Sequence, residues 1–206
     1  MMNEEIDTAL GLRERKKAKL RQQIFKTAVA LFRERGFEQT RIDDIVNALD
    51  ISQPTFFRYF PSKEEILREV GRRAYAHIAA LLRDELLRDA STADRLQRLY
   101  LTLAREVEGD RALWHAMAVT GAMDPVHTPG QRENEESTTA LLREILAEGQ
   151  KRGEITRAFP VVHLAEFVDG MYGAVVHHWL TDLTGPHFLS ERVSAAVAFF
   201  LRGARP

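Results

Sequence analysis

The sequence contains no cysteine, which excludes a disulfide framework, a thiolate zinc site and thiol catalysis. It also has no apolar run approaching the roughly 18 residues that cross a bilayer. Its first residues, MMNEEIDTALGLRERKK, do not follow the basic-then-apolar order of a secretory signal. A cytoplasmic location without a membrane partner is therefore expected. Strand signals are scarce, and with no fixed-period repeat or low-complexity tract a helical solenoid is not expected. The common catalytic fingerprints are missing as well: G-x-S-x-G, the phosphate-binding P-loop and the dinucleotide pattern. His163 and Glu166 share a helical face, but a di-iron bundle needs two Glu-x-x-His motifs and further carboxylates. His177 and His178 are neighbours, so they point about 100° apart on a helix and are poorly placed to share an ion. No enzymatic role, cofactor or metal is expected.

What is present is a chain of 206 residues, 45% hydrophobic and 29% charged, the balance of an ordinary globular protein. Its net charge of −1 conceals an asymmetry. Between Arg13 and Lys63 there are 12 Lys/Arg against 6 Asp/Glu, or +6, while residues 1–12 carry −3 and residues 64–206 carry −4. A positive field confined to one segment favours a polyanion, although a solvated helix face carries a similar excess.

Helix punctuation recurs along the whole chain, and the reading is all-α with nine helices. Leu20, Ile24, Ala28, Leu31 and Phe32 repeat at the spacing of one buried face between Arg13 and Arg35, and Gly36 stands where a C-terminal cap belongs. Thr40-Arg41 opens a short second helix whose Ile42, Ile45, Val46 and Leu49 share a face. Ser52 caps a third, with Pro54 tolerated in its first turn, and Pro61 stops it. Ser62 and Glu65 then form a capping box for a long fourth helix reaching about Asp89. Five more follow: from Ser91 or Thr92 to Gly109, from Asp110 to about Asp124-Pro125, after VHTPGQ to Gly153, from Pro160 to before Gly185-Pro186, and from Ser190 to about Gly203. The predicted organisation is a flexible tail over residues 1–12, a three-helix domain over 13–61 and a larger helical domain over 62–206.

The stretch SQPTFFRYF holds four aromatic rings, more than a small core needs. On a helix that starts after Ser52, Phe56 and Phe60 face the core together, while Gln53, Phe57, Arg58 and Tyr59 project to other sides. Two short helices with a tight turn at Asp50, preceded by a basic helix, have the spacing of a helix-turn-helix, whose second helix enters the DNA major groove. There a Gln can pair with a base edge, a Phe can meet a thymine methyl, and Tyr, Arg and Lys can reach phosphates.

At these residues, GFEQTRIDDIVNALDISQPTFFRYFPSKEEIL, the sequence resembles the DNA-binding segment of the TetR family of transcriptional regulators. The family pattern is a Gly-aromatic pair, a Thr/Ser-capped DDIA helix, a turn, and TLYxYFxSKExL. The phrase GQKRGEI, residues 149–155, extends the resemblance into the C-terminal part. The resemblance implies a nine-helix architecture with an N-terminal helix-turn-helix domain and a C-terminal ligand-binding and dimerisation domain. Base contacts then fall on Gln53 and Pro54, base or phosphate contacts on Thr55 and Phe57, and phosphate contacts on Tyr59 and Lys63, with Arg58 beside them. Arg41 departs from the pattern, which has a hydroxyl there that caps the helix and touches phosphate; the resemblance then implies that Thr40 assumes the cap and the DNA contact and that Arg41 reaches the DNA backbone by charge. Asp50 replaces the usual turn glycine, Leu49 an alanine and Phe57 a tyrosine.

The resemblance further implies a homodimer and a small, largely apolar effector. Helices eight and nine are apolar on more than one face, which suits a symmetric interface through Val175, Val176, Trp179, Val193, Val197 and Phe200. Gly170 and Gly173 would allow close helix approach. Trp114, His115, Met117, Met123, Phe167, Met171 and Tyr172 are the candidates for an effector cavity. The expected function is transcriptional regulation, chiefly repression, from a pseudo-palindromic operator with effector-induced release. A ligand-independent DNA-binding protein and an activator are the alternatives.

Overall fold

Helix ends in this chain are set by short, identifiable signals. The computed structural model describes residues 2–122, 137–182 and 188–206, with side chains from residue 11 onward. Among the described residues there are nine α-helices: α1 (Met2–Arg35), α2 (Ile42–Leu49), α3 (Gln53–Tyr59), α4 (Lys63–Leu87), α5 (Thr92–Gly109), α6 (Arg111–Val119), α7 (Thr138–Arg152), α8 (Val161–Thr181) and α9 (Leu189–Gly203). Ser52, Ser91 and Ser137 each accept the backbone N–H three residues on, so α3, α5 and α7 begin on a side-chain cap. The sequence reading began the first helix at Arg13, whereas α1 begins at Met2. The expected ends at Asp124-Pro125 and Gly185-Pro186, and the VHTPGQ segment, lie outside the described residues.

The chain divides into two units, Met1–Glu69 and Val70–Pro206, with the division inside α4. In the first unit α1 packs on α2 and α2 on α3, and Ile24, Phe25, Ala28, Leu31 and Phe32 of α1 are buried, as are Ile45 and Val46 of α2, Phe56 and Phe60 at α3, and Ile66 and Leu67 of α4. Phe37 closes this core edge-on to Phe32, with ring centroids 5.0 Å apart. Burying rings and branched aliphatics at roughly 1.5–3 kcal/mol each is what allows helices of seven and eight residues, too short to persist alone, to hold their place.

In the second unit α5 packs on α9, α9 on α8, and α8 on both α7 and α6. Leu96, Tyr100, Leu103 and Val107 of α5 meet Ile145 and Leu146 of α7, Leu164 and Val168 of α8, and Val193 and Val197 of α9 in one core. The GQKRGEI phrase has a physical reading here. A Cβ on Gly149 would stand 2.5 Å from Thr92 Oγ1, so α7 approaches the start of α5 as closely as backbone permits. Gly153 takes the left-handed conformation that ends α7, at φ 74°, and Glu154 then accepts the Thr92 N–H at 2.7 Å. Buried Arg95 donates to Glu148 at 2.7 Å and to the Arg88 carbonyl, tying the same corner. Among the described residues no helix is long and apolar enough to cross a membrane.

Candidate nucleic-acid interface and cavity

The turn between α2 and α3 is made by one residue. Asp50 adopts φ 51° and ψ 48°, and the Ile51 N–H closes back on the Val46 carbonyl at 3.0 Å. It is the sole non-glycine residue with positive φ among the described residues, and Asp tolerates that region because its short side chain can bond locally. Ser52 then accepts the Thr55 N–H and opens α3, with Pro54 in the first turn.

The rings of α3 divide as their spacing predicts. Phe56 and Phe60 are fully buried, while Phe57 is 45% exposed and stands edge-on to Phe56 at 5.5 Å. Gln53, Pro54 and Arg58 are exposed, and Tyr59 is half-buried with the Arg58 guanidinium 5.4 Å from its ring centre. Gln53 Nε2 donates to Asp43 on α2, a residue the sequence reading did not single out. That bond fixes the amide across the two helices and leaves one N–H and the carbonyl of Gln53 to face outward. Thr55 is half-buried and its hydroxyl is shared with Ser52 at 3.0 Å.

Two expectations change. Thr40 is neither a cap nor an outward hydroxyl: it is fully buried, and its Oγ1 donates to the carbonyls of Gly36 at 2.8 Å and Leu31 at 3.3 Å. The cap of α2 is Arg41, whose N–H donates to Asp44 at 2.7 Å while its side chain stays exposed. A hydroxyl next to a helix start satisfies whichever carbonyl it faces, and here the end of α1 competes successfully for it. Lys63 is half-buried: Nζ donates to the carbonyls of Phe37 at 2.9 Å and Thr40 at 3.3 Å and lies 4.2 Å from the Phe37 ring centre. Its ammonium therefore locks the loop between α1 and α2 to the start of α4.

The second unit holds a cavity of about 430 Å³, lined from α4 by Ile78, from α5 by Leu103 and Val107, from α6 by Trp114 and Ala118, and from α8 by Tyr172, Gly173, Val176, His177 and Leu180, with Gly121 completing the described lining. This is an apolar container within the usual size range for small-molecule sites, with an indole N–H, a phenol and an imidazole as polar handles. Burial and the carboxylates of Asp169 and Glu106 push the Tyr172 phenol well above its ordinary range, so it is a neutral hydrogen-bonding group. Of the expected effector residues, Trp114 and Tyr172 line this cavity. Met117 is fully buried in the core, His115 is exposed, and Met123 lies outside the described residues. Phe167 and Met171 line a different, smaller groove.

A family model described as bacterial regulatory proteins, tetR family, matches residues 24–70. The chain is 40% identical over 72 residues to the HTH-type transcriptional regulator TcmR of Streptomyces glaucescens, a match spanning 34% of this chain and 32% of that one. Over 203 residues, 91% of this chain and 88% of the relative, it is 25% identical to the probable acrEF/envCD operon repressor of Escherichia coli K12. Thermus thermophilus FadR, a TetR-family transcriptional repressor solved in complex with lauroyl-CoA, shares the fold at a TM-score of 0.68 and 27% identity, covering 89% of this chain and 94% of that one. The chain belongs to the TetR family of transcriptional regulators. It is a DNA-binding regulator and not an enzyme.

Of the residues expected at a symmetric interface on α8 and α9, most are turned inward. Trp179, Val193, Val197 and Phe200 are buried within their own unit, with Trp179 under the Arg111 guanidinium at 4.3 Å. Val175 and Val176 are half-buried, and Val176 lines the cavity. Facing outward instead are Phe167, Gly170 and Ala174 of α8 and Ala195 and Phe199 of α9, Phe199 being 73% exposed. A Cβ added at Gly170 or Gly173 would meet nothing within 4 Å. Phe159 and Phe167 stand edge-on at 6.3 Å beside a groove of about 250 Å³ that Phe199 also lines. The Phe199-Phe200 pair carried the signal, but two adjacent rings point about 100° apart and hydrophobicity alone does not say which is inside.

Proposed function

We propose that the protein represses transcription as a homodimer on a pseudo-palindromic operator and is released by a small, largely apolar, ring-bearing effector. The observation that carries the DNA-binding half is the left-handed turn at Asp50, after which α3 buries Phe56 and Phe60 and presents Gln53, Pro54, Phe57 and Arg58 outward. Gln53 and Phe57 read base edges, and Arg41, Arg58, Tyr59 and, once its internal bonds open, Lys63 meet phosphates. In a symmetric dimer two such helices enter successive major grooves about 34–36 Å apart, which requires a dyad in the operator. The exposed apolar face of α8 and α9 supports self-association, since Phe167 and Phe199 are left in water by a lone subunit.

The effector enters the cavity lined by Trp114, Tyr172 and His177. Helix α4 belongs to both units: Ile78 lines the cavity and Lys63 begins the same helix. A ligand that binds better when the two α3 helices have the wrong separation weakens DNA binding by that difference in affinity. The test is an electrophoretic shift assay with the DNA upstream of its own gene, repeated with a panel of aromatic and aliphatic small molecules. The expected result is a specific complex released by an aromatic compound that also quenches Trp114. A compound that raises the melting temperature yet leaves operator affinity unchanged would refute the coupling.

A further inference from the structure

Helix α1 is longer than its packing requires. Residues 11–19 are exposed without exception, and the buried stripe begins only at Ile24. That unsupported segment carries Arg13, Arg15, Lys16, Lys17 and Lys19 against Glu14 alone, or +4. The one ion pair seen within it, Lys17 with Glu14 at 3.9 Å, is between exposed groups and contributes little. Arg13 with Lys17, and Arg15 with Lys19, are like charges one turn apart, which weakens an isolated helix. Neither burial nor charge pairing within these residues explains the helix.

Position supplies a reason. Two residues on, Arg21 lies over the Phe60 ring at 4.7 Å and pairs with Glu69 at 3.3 Å. Phe60 is the C-terminal cap of α3, directly after Tyr59. The cationic turns therefore start beside the C-terminal end of α3 and continue roughly 12 Å further along the α1 axis to Arg13. On the reading that α3 lies in a major groove, we infer that residues 13–19 form a second, sequence-indifferent DNA contact that neutralises phosphates flanking the base pairs α3 reads. Phosphates there remove the repulsion among the five cations and stabilise the segment as helix, so binding and helix order reinforce each other.

The test uses the full-length protein and a quadruple variant, Arg13→Ala, Lys16→Ala, Lys17→Ala and Lys19→Ala, in which alanine keeps the helix propensity high. Affinity is measured against salt concentration on the protein's own footprinted site, once trimmed to the dyad and once with about one helical turn of flanking duplex on each side. Each phosphate contact adds about 0.9 to the slope of log affinity against log salt. The wild type should show a steeper slope on the longer duplex, and the variant should lose at least about two units of it per dimer while its discrimination between the site and a scrambled duplex stays unchanged. Amide exchange over residues 11–19 should slow when the wild type binds the longer duplex. An unchanged slope in the variant, or exchange unaffected by the flanks, overturns the inference and leaves the role of α3 intact. A wild type with no preferred site removes the reading of α3, and this inference falls with it.

Discussion

Phe56 and Phe57 are adjacent in the chain and should answer to alanine in opposite ways. Phe56 is fully buried between Phe57 and Phe60, so its removal leaves a cavity in the core of the 69-residue first unit. A Phe→Ala change at such a site costs about 3–5 kcal/mol, a large share of the roughly 5–15 kcal/mol that holds a small domain together. Phe57 is 45% exposed, and full burial of a Phe side chain contributes only about 1.5–3 kcal/mol, so Phe57→Ala should cost no more than about 1.5 kcal/mol. At about 4–8 °C per kcal/mol for a unit of this size, Phe56→Ala should lower the melting transition of the first unit by more than about 10 °C. Phe57→Ala should move it far less. On operator DNA at a temperature where both variants are folded the order reverses, with Phe57→Ala losing about 1–3 kcal/mol of specific affinity. Differential scanning calorimetry and fluorescence anisotropy provide the two axes. Equal destabilisation by both substitutions, or a Phe57→Ala protein that binds its operator like the wild type, would refute the assignment of inner and outer faces on α3.

Thr40→Val keeps the shape of a buried side chain but removes the donor that satisfies the Gly36 and Leu31 carbonyls, and should destabilise the first unit by about 1–3 kcal/mol without altering the salt dependence of DNA binding. A reduced salt slope in that variant would restore Thr40 to the phosphate contacts. Lys63→Ala should both loosen the loop between α1 and α2, seen as faster amide exchange at Phe37 and Thr40, and lower affinity for all duplexes alike; a loss confined to the specific site contradicts it. The Thr92 backbone N–H and hydroxyl hold the Glu154 carboxyl below the usual carboxylate range. Its contribution to the second unit is therefore present at neutral pH and is lost as pH falls from the ordinary carboxylate value, about 4, through the lowered one. Glu154→Gln should flatten that part of the acid stability profile, and parallel profiles for variant and wild type would exclude the effect.

Much of the first unit was legible because its signals are local. A serine cap, a proline in a first turn and rings four residues apart act within one or two helical turns, so reading them needs no knowledge of what packs nearby. Asp50 was recognisable as the bend for the same reason. Thr40 was misread because its hydroxyl had two partners within reach, and the choice between capping α2 and closing the end of α1 depends on how those helices meet. In the second unit the wide apolar faces of α8 and α9 identified helices that pack on more than one side. Which stripe turns inward depends on the helices that cover it, and that arrangement is non-local. Hence Val197 and Phe200 were expected at an outer face, whereas they are buried and Phe199 is the exposed ring. The cavity was half visible for a related reason: Trp114 and Tyr172 are conspicuous residue types, whereas Ile78, Leu103 and Val107 look like ordinary core until α4, α5, α6 and α8 leave a space between them.

The most direct measurement is DNase I footprinting of the full-length protein and of Gln53→Ala on the DNA upstream of its own gene. The expected pattern is a protected region with dyad symmetry and half-site centres one helical turn apart, which Gln53→Ala protects weakly while still binding random duplex as the wild type does. Protection without symmetry, or an identical footprint from the variant, would contradict the claim that paired α3 helices read bases in adjacent major grooves.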